Sequence, residues 1–237
     1  MSAKIGAITF DWYGSLANHR RKIGRGRQFS EYLASQGLQS APWDRHILYD
    51  VFEFYGREYK PESSGQEKQV FWIRFTEMLF DRSHVGGGTA SQSEIHAAAI
   101  RDIFGSACFE LYSDVLPVLA VLKKQGLRLA VVSNWYPGLD SFCHEMGLSS
   151  LLDAVISSSD AGIEKPDARI YLDAVHRLGV KPDMTVHVDD SPENFRGAVA
   201  AGLRAILIDR RMVHCAHENR INGLSELPGQ LCLAGCE

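Results

Sequence analysis

Residues 4–16 read KIGAITFDWYGSL: the apolar run Ile5-Gly6-Ala7-Ile8-Thr9-Phe10, then Asp11, then Trp12-Tyr13-Gly14-Ser15-Leu16. A short apolar run closed by a turn signal reads as a strand buried on both faces, the kind found in parallel sheets. An aspartate at the end of such a strand, followed by a tight glycine turn, is presented to the ligand edge with backbone N–H groups around it. Working outward, four further apolar runs at 127–132, 154–157, 185–188 and 204–208 read the same way. Amphipathic stretches at 113–125, 139–146, 167–178 and 192–201 alternate with them. Alternation of this kind predicts an α/β fold, a Rossmann-like, doubly wound parallel sheet with helices on both faces. Right-handed crossovers then bring the strand ends to one edge, where open α/β sheets bind their ligands.

Residues 17–108 break the pattern. They carry helical periodicity at 28–36, 43–55, 67–80 and 91–103, and their loops hold Pro61, Ser63, Ser64, Gly65 and the run Gly86-Gly87-Gly88. This predicts an all-helical cap over 17–108 inserted into an α/β core formed by 1–16 and 109–237. Composition agrees with a packed chain of 237 residues, with 45% hydrophobic and 23% charged residues. The net charge of -4, from 29 acids and 25 bases, offers no footprint for nucleic acid or an anionic membrane. Five scattered cysteines, Cys108, Cys143, Cys215, Cys232 and Cys236, contain no C-x-x-C pair and describe neither a disulfide framework nor a zinc site. No segment approaches the ~18 apolar residues of a membrane span, and the first residues hold too short an apolar run for a signal peptide. The expectation is a cytoplasmic monomer or homodimer.

Four polar clusters fall where strands end. Asp11 opens the first, with Tyr13, Gly14 and Ser15 behind it. Ser133-Asn134 follows the second run and offers donors to an anion. Lys165-Pro166 follows the third, with Pro166 suited to the first turn of the next helix. Asp189-Asp190-Ser191-Pro192-Glu193-Asn194 follows the fourth, and two adjacent acids there read as a Mg²⁺ site or as an N-cap with flanking acids. Each cluster alone is ordinary turn or capping chemistry. Their order along the chain, each at a strand end, is what a shared site explains.

That order resembles the four motifs of the haloacid dehalogenase-like superfamily, over 4–16 and roughly 111–209, with the helical insert in the position of a type C1 cap. The GLSELP stretch at 223–228 also looks like that family's final turn and helix. The resemblance implies that Asp11 is the nucleophile, Ser133 the hydroxyl of the second motif and Lys165 the lysine of the third. Asp189, Asp190 and Asn194 are similar to a DDxxxN form of the fourth. By the same resemblance Mg²⁺ would take Asp11, the main-chain carbonyl of Tyr13 and the acid pair Asp189 and Asp190, and the cap would open and close near 16–19 and 108–113. Chemically the roles are coherent. A carboxylate must be aimed and desolvated to attack. Lys165, Ser133 and Asn134 would stabilise the charge that develops, and a divalent cation would offset several carboxylates facing an anion.

The motifs disagree about the reaction. Most phosphatases of this superfamily carry a second aspartate two residues after the nucleophile, as general acid. Here that position is Tyr13, and an unperturbed tyrosine at about 10 is poorly matched to proton transfer near neutrality. Tyr13 instead resembles the D-x-Y-G-T-L motif of the 2-haloacid dehalogenases, with Ser15 in place of their threonine and Tyr171 matching a substrate-binding tyrosine. Those enzymes use no metal, and they have serine and asparagine where this chain has Asp189 and Ser191. Their cap arginine has no clear counterpart here, Arg45 being only nearby. A third pattern, that of the phosphonoacetaldehyde hydrolases, needs a cap lysine, for which Lys22 is the nearest candidate. Three readings follow: a Mg²⁺-assisted phosphohydrolase, a metal-independent 2-haloacid dehalogenase, and a catalytically silent relative that binds a ligand or partner. The basic run Arg20, Arg21, Lys22, Arg25 and Arg27 reads as a solvated entry to the cap, or as a means of attracting an anion. The cap aromatics Trp43, Phe52, Phe54, Tyr55, Phe71 and Trp72 read mainly as its core.

Overall fold

A computed structural model describes residues 4–21, 23–42, 45–85, 90–211 and 219–231. Lys22, Trp43, Gly86, Gly87, Gly88, Cys215, Cys232 and Cys236 lie outside the described residues. The strands are β1 (Ala7–Phe10), β2 (Ala17–His19), β3 (Phe109–Leu111), β4 (Arg128–Ser133), β5 (Ala154–Ser157), β6 (Thr185–Asp189), β7 (Arg204–Ile208) and β8 (Arg220–Ile221). The helices are α1 (Arg25–Ser35), α2 (Arg45–Glu58), α3 (Gly65–Arg82), α4 (Ala90–Phe104), α5 (Val115–Lys124), α6 (Leu139–Glu145), α7 (Ser158–Ala161), α8 (Ala168–Leu178), α9 (Pro192–Ala200) and α10 (Leu227–Gln230). The chain divides into two compact units, residues 1–18, 111–135 and 147–237 in one and 19–110 with 136–146 in the other.

The first unit is the α/β core. Its sheet has the order β5-β4-β1-β6-β7-β8, and every pairing is parallel. Every residue of β1 is buried, as the unbroken apolar run predicts. Alternation sends Ala7 of β1 with Ala130 and Val132 of β4 into a cluster with Ile170, Tyr171, Ala174, Val175 and Leu178 of α8. Ile8 and Phe10 point to the opposite face. The chain runs from β1 out to β4 and β5 and then returns to β6 on the other side of β1, so the strand order reverses between β1 and β6 and the ends of β4, β1 and β6 lie side by side, the position where such sheets bind ligands. The five strands expected from sequence all form. Among the described residues, sequence reading missed the edge strand β8, helix α7 and the two-stranded sheet of β2 and β3, all too brief to show periodicity.

The second unit is helical. Its four expected helices form as α1 to α4, and α6 groups with them although its sequence was assigned to the core. Phe29, Phe52, Tyr55, Phe71, Trp72, Phe75, Phe80 and Phe104 are buried, so most of the cap aromatics do build its interior. Helix α3 begins with a capping box: the Ser64 hydroxyl accepts from Glu67 N–H, and the Glu67 carboxylate accepts from Ser64 N–H at 2.8 Å. One basic residue departs from the solvated reading of its run. Arg25 is buried, with its guanidinium 4.6 Å from the Phe52 ring centre and 4.9 Å from that of Phe109. Cys108 and Cys143 are free and buried. Among the described residues no helix is long and apolar enough to cross a membrane.

Candidate active site

Strand ends of the α/β core deliver most of the site. Asp11 follows β1 directly, and its N–H still donates to Val188 O of β6 at 2.8 Å, so the backbone is held in the sheet to that point. Gly14 then turns the chain with φ of +88°, where a side chain is strained; a Cβ there would lie 2.3 Å from Asp190 Oδ2. Ser133 ends β4, Asp189 ends β6, and the connection from α7 to α8 supplies Lys165.

These groups meet on Asp11. The Ser133 hydroxyl donates to Asp11 Oδ1 at 2.9 Å, and Lys165 Nζ donates to the same oxygen at 2.6 Å. Lys165 Nζ also donates to Asp189 Oδ2 at 2.7 Å. Asp11, Lys165, Ser133 and Asp189 are all buried, whereas Asp190 is exposed. Both side-chain donors to Asp11 fall on Oδ1, which leaves Oδ2 to attack or to ligate. Burial pushes the Asp11 carboxyl up and Asp189 adds to this, against the pull of Lys165 and Ser133. Burial pulls the Lys165 ammonium down, but the two carboxylates together outweigh it and hold it above the usual lysine value.

Asp189 and Asp190 are adjacent in sequence and opposite in circumstance. Asp189 accepts from Lys165, from Ser191 N–H at 2.8 Å, from the Asn194 amide at 3.1 and 3.2 Å, and from His187 Nε2 at 3.1 Å. Burial raises its pKa, yet His187 and Lys165 more than reverse this and hold it well below the carboxylate range. Among the described residues no side chain donates to Asp190. Desolvation, with Asp11 and Asp189 nearby, pushes Asp190 up to about 6. Oxygens of Asp11, Asp189 and Asp190 lie within 4.8 Å of one another. Three hard oxygen donors at this spacing are the chemistry Mg²⁺ takes, and the oxygens not already committed belong to Asp11 and Asp190.

The other expected residues make the following contacts. Asn134 uses its side-chain amide on the Lys165 backbone, donating to Lys165 O at 2.9 Å and accepting from Lys165 N–H at 2.7 Å. It therefore clamps the lysine turn. Tyr171 is fully buried and its hydroxyl donates to Asn194 O at 2.9 Å. Tyr13 is 44% exposed at the strand end. Ser15 is buried, its carbonyl accepts from Arg210 Nε at 2.8 Å, and its hydroxyl has no hydrogen-bond partner among the described residues. The capping reading of the DDSPEN stretch holds, because Ser191 caps α9 by accepting from Asn194 N–H. Sequence reading missed His187. Its signal was available: a histidine inside an apolar strand, two residues before Asp189 and therefore on the same face.

With this geometry in view, comparison with known proteins places the chain in a family. The haloacid dehalogenase-like hydrolase family matches residues 5–202, and the chain belongs to it. It is a hydrolase of that family. Among its relatives, the phosphoserine phosphatase of Thermus thermophilus is 30% identical over 71% of this chain and 68% of its own. The (S)-2-haloacid dehalogenase 4A of Burkholderia cepacia is 27% identical over 96% of this chain and 95% of its own. The fold resembles that of a 2-haloacid dehalogenase from Pseudomonas syringae, with a TM-score of 0.61 at 22% identity over 96% of this chain and 98% of the other.

Proposed function

We propose that the protein hydrolyses a small phosphorylated metabolite, with Asp11 as the covalent nucleophile and Mg²⁺ held by Asp11, Asp190 and the Tyr13 carbonyl. The observation that carries this is charge. Three carboxylates converge against one ammonium, and burial pulls His187 below its ordinary value, so it stays neutral. An anionic substrate entering there meets net negative charge unless a cation joins it. Bound Mg²⁺ would neutralise that charge and polarise the substrate's oxygens.

The chain's own groups then act as follows. Asp11 Oδ2 attacks phosphorus, and the bond to the leaving oxygen breaks as an aspartyl-phosphate forms, the leaving oxygen taking a proton from solvent water and departing as the alcohol. Lys165 and Ser133 hold Asp11 through Oδ1, which aims Oδ2, and the Lys165 charge balances the anionic oxygens. Water then cleaves the acyl-phosphate and returns the Asp11 carboxylate. Burial of Asp11 removes the hydration that would blunt it.

Tyr13 favours a second reading, a 2-haloacid dehalogenase in which Asp11 attacks carbon and halide leaves without needing a proton. The dehalogenase relative has the activity this reading would assign. One screen separates them: phosphate esters and haloacetates, each with Mg²⁺ and with EDTA, for wild type and Asp11→Asn. The phospho reading expects Mg²⁺-dependent phosphate release that EDTA and Asp11→Asn abolish. EDTA-insensitive halide release overturns it, and turnover that survives Asp11→Asn overturns both.

A further inference from the structure

His187 has no role in the reaction as described above, yet it is the only histidine in contact with the catalytic cluster among the described residues. It is fully buried in β6, opposite Thr9 in the β1–β6 register. Thr9 Oγ1 lies 2.9 Å from His187 Nδ1, and His187 Nε2 lies 3.1 Å from Asp189 Oδ2. The Tyr171 ring packs edge-on against the imidazole, with centres 5.0 Å apart. A carboxylate only accepts, so the Nε2 proton is on the histidine, and in the neutral ring Nδ1 then accepts from the Thr9 hydroxyl. The tautomer follows from the partners.

We infer that His187 is a positioning residue: with Thr9 behind it, it holds Asp189 so that Asp189 aims the Lys165 ammonium at Asp11 and the substrate. Asp189 Oδ2 takes the protons of both His187 and Lys165, while Oδ1 is tied to Ser191 N–H and Asn194. Two fixed oxygens define the plane of the carboxylate, and that plane sets where Lys165 Nζ rests. Two of its three protons lie on Asp11 Oδ1 and Asp189 Oδ2, so the direction of the third is determined. Without the His187 proton, Oδ2 keeps only its contacts to Lys165 and Asn194, both from side chains that can move with it. The line Thr9–His187–Asp189–Lys165–Asp11 runs from the strand interior to the nucleophile, and each link is a hydrogen bond. It parallels the outer ligands of metal sites, whose loss typically lowers affinity or activity about 10- to 100-fold.

This inference rests on the proposed role of Asp11, and its test uses two measurements so that each can fail alone. The first compares His187→Leu, which removes the proton donor, with His187→Gln, whose amide N–H can still reach Asp189. Turnover is followed with p-nitrophenyl phosphate plus Mg²⁺ and with bromoacetate. His187→Leu should lower kcat about 10- to 100-fold with KM within about threefold, and His187→Gln should recover most of it at a similar melting temperature. Equal losses in the two variants overturn the inference, because a purely structural role would not distinguish them. The second needs no turnover. Long-range ¹H–¹⁵N spectra of the wild type should show His187 neutral with its proton on Nε2, and crystal structures should show Lys165 Nζ displaced from Asp11 in His187→Leu and in place in His187→Gln. A proton on Nδ1, or an unmoved Lys165 in His187→Leu, overturns the inference even if every substrate is turned over. A wild type no more active than Asp11→Asn overturns the function while the spectra and structures still decide His187. Should His187→Leu not fold, Thr9→Val serves in its place: it should loosen the ring, weaken the Nε2–H signal and lower kcat, and an unchanged spectrum and kcat overturn the inference.

Discussion

Lys165→Met removes the one cation that pairs with Asp11 and Asp189 among the described residues, and its effect can be worked from the distances. Lys165 Nζ lies 2.6 Å from Asp11 and 2.7 Å from Asp189, with no exposed side-chain surface. At an effective dielectric near 20 each contact is worth about 6 kcal/mol of attraction, from which the several kcal/mol of dehydrating each ion must be subtracted. Removing one member of a buried ion pair costs about 3–5 kcal/mol, because the charge left behind stays buried. Methionine fills the volume of the lysine stem, so little of the loss comes from packing. At about 2–4 °C per kcal/mol for a chain of this size, the melting temperature should fall by about 10 °C at pH 7. The sign with pH is also set. In the wild type Asp189 is held low, so its stabilisation is present above the ordinary carboxylate range and is lost as pH falls through its folded value. Lys165 is held high, so its contribution is present below about 10.4 and is lost as pH rises through its folded value. In the variant the two acids face each other with no cation, their folded pKa values rise, and a proton taken up in acid relieves them. The gap between wild type and variant should therefore be widest from about pH 6 to 10 and narrow toward pH 4. Thermal melts of both proteins across that range are the assay. A gap under about 2 °C at pH 7, or one that widens on acidification, would show that the reasoning about this buried triad is wrong.

Three further outcomes are expected. Gly14→Ala forces a side chain into a φ of +88° and to 2.3 Å from Asp190 Oδ2, so stability should fall by about 1–2 kcal/mol or more and Mg²⁺ binding by at least about tenfold, read by melting and calorimetry. Because Asp190 is pushed up to about 6 and a carboxylate must be deprotonated to bind a metal, Mg²⁺ affinity should drop about tenfold between pH 8 and pH 5; a flat affinity over that range counts against Asp190 as a ligand. Gly197→Ala places a Cβ 2.5 Å from Pro166 O, so α9 must shift against the turn that carries Lys165, with a loss of about 1–3 kcal/mol in melting experiments and a fall in kcat larger than any change in KM.

What was legible in the sequence is what local pattern encodes. The strands ending at Phe10, Ser133 and Asp189 were readable because burial on both faces demands unbroken apolar runs, and the candidate site residues stand at or beside their ends. The commitments of individual side chains were not readable. Asn134 binds Lys165 across 31 residues, Tyr171 binds Asn194 across 23, and Thr9 binds His187 across 178; no local spacing announces such partners. The burial of Arg25 escaped notice because a basic run is normally solvated, and here aromatic faces from distant segments surround the guanidinium. The grouping of 136–146 with the helical unit is likewise a matter of packing, since its sequence alternates with strands as regularly as any core helix.

The pair Asp189-Asp190 was read from sequence as one acidic cluster, and its two members divide the labour. Asp189 faces inward and is surrounded by donors, so its charge is already answered by Lys165 and its place already fixed by His187, Ser191 and Asn194. Asp190 faces the ligand edge with an elevated pKa and no side-chain donor among the described residues. An acid kept at a ligand edge with no side-chain donor among the described residues disfavours any anionic substrate on its own, whether the attack falls on phosphorus or on carbon. It becomes an asset once a cation shares the site. On the proposed reading, the acid that speaks for phosphoryl chemistry is therefore Asp190 alone, while Asp189 would serve either reaction equally by holding Lys165 against Asp11.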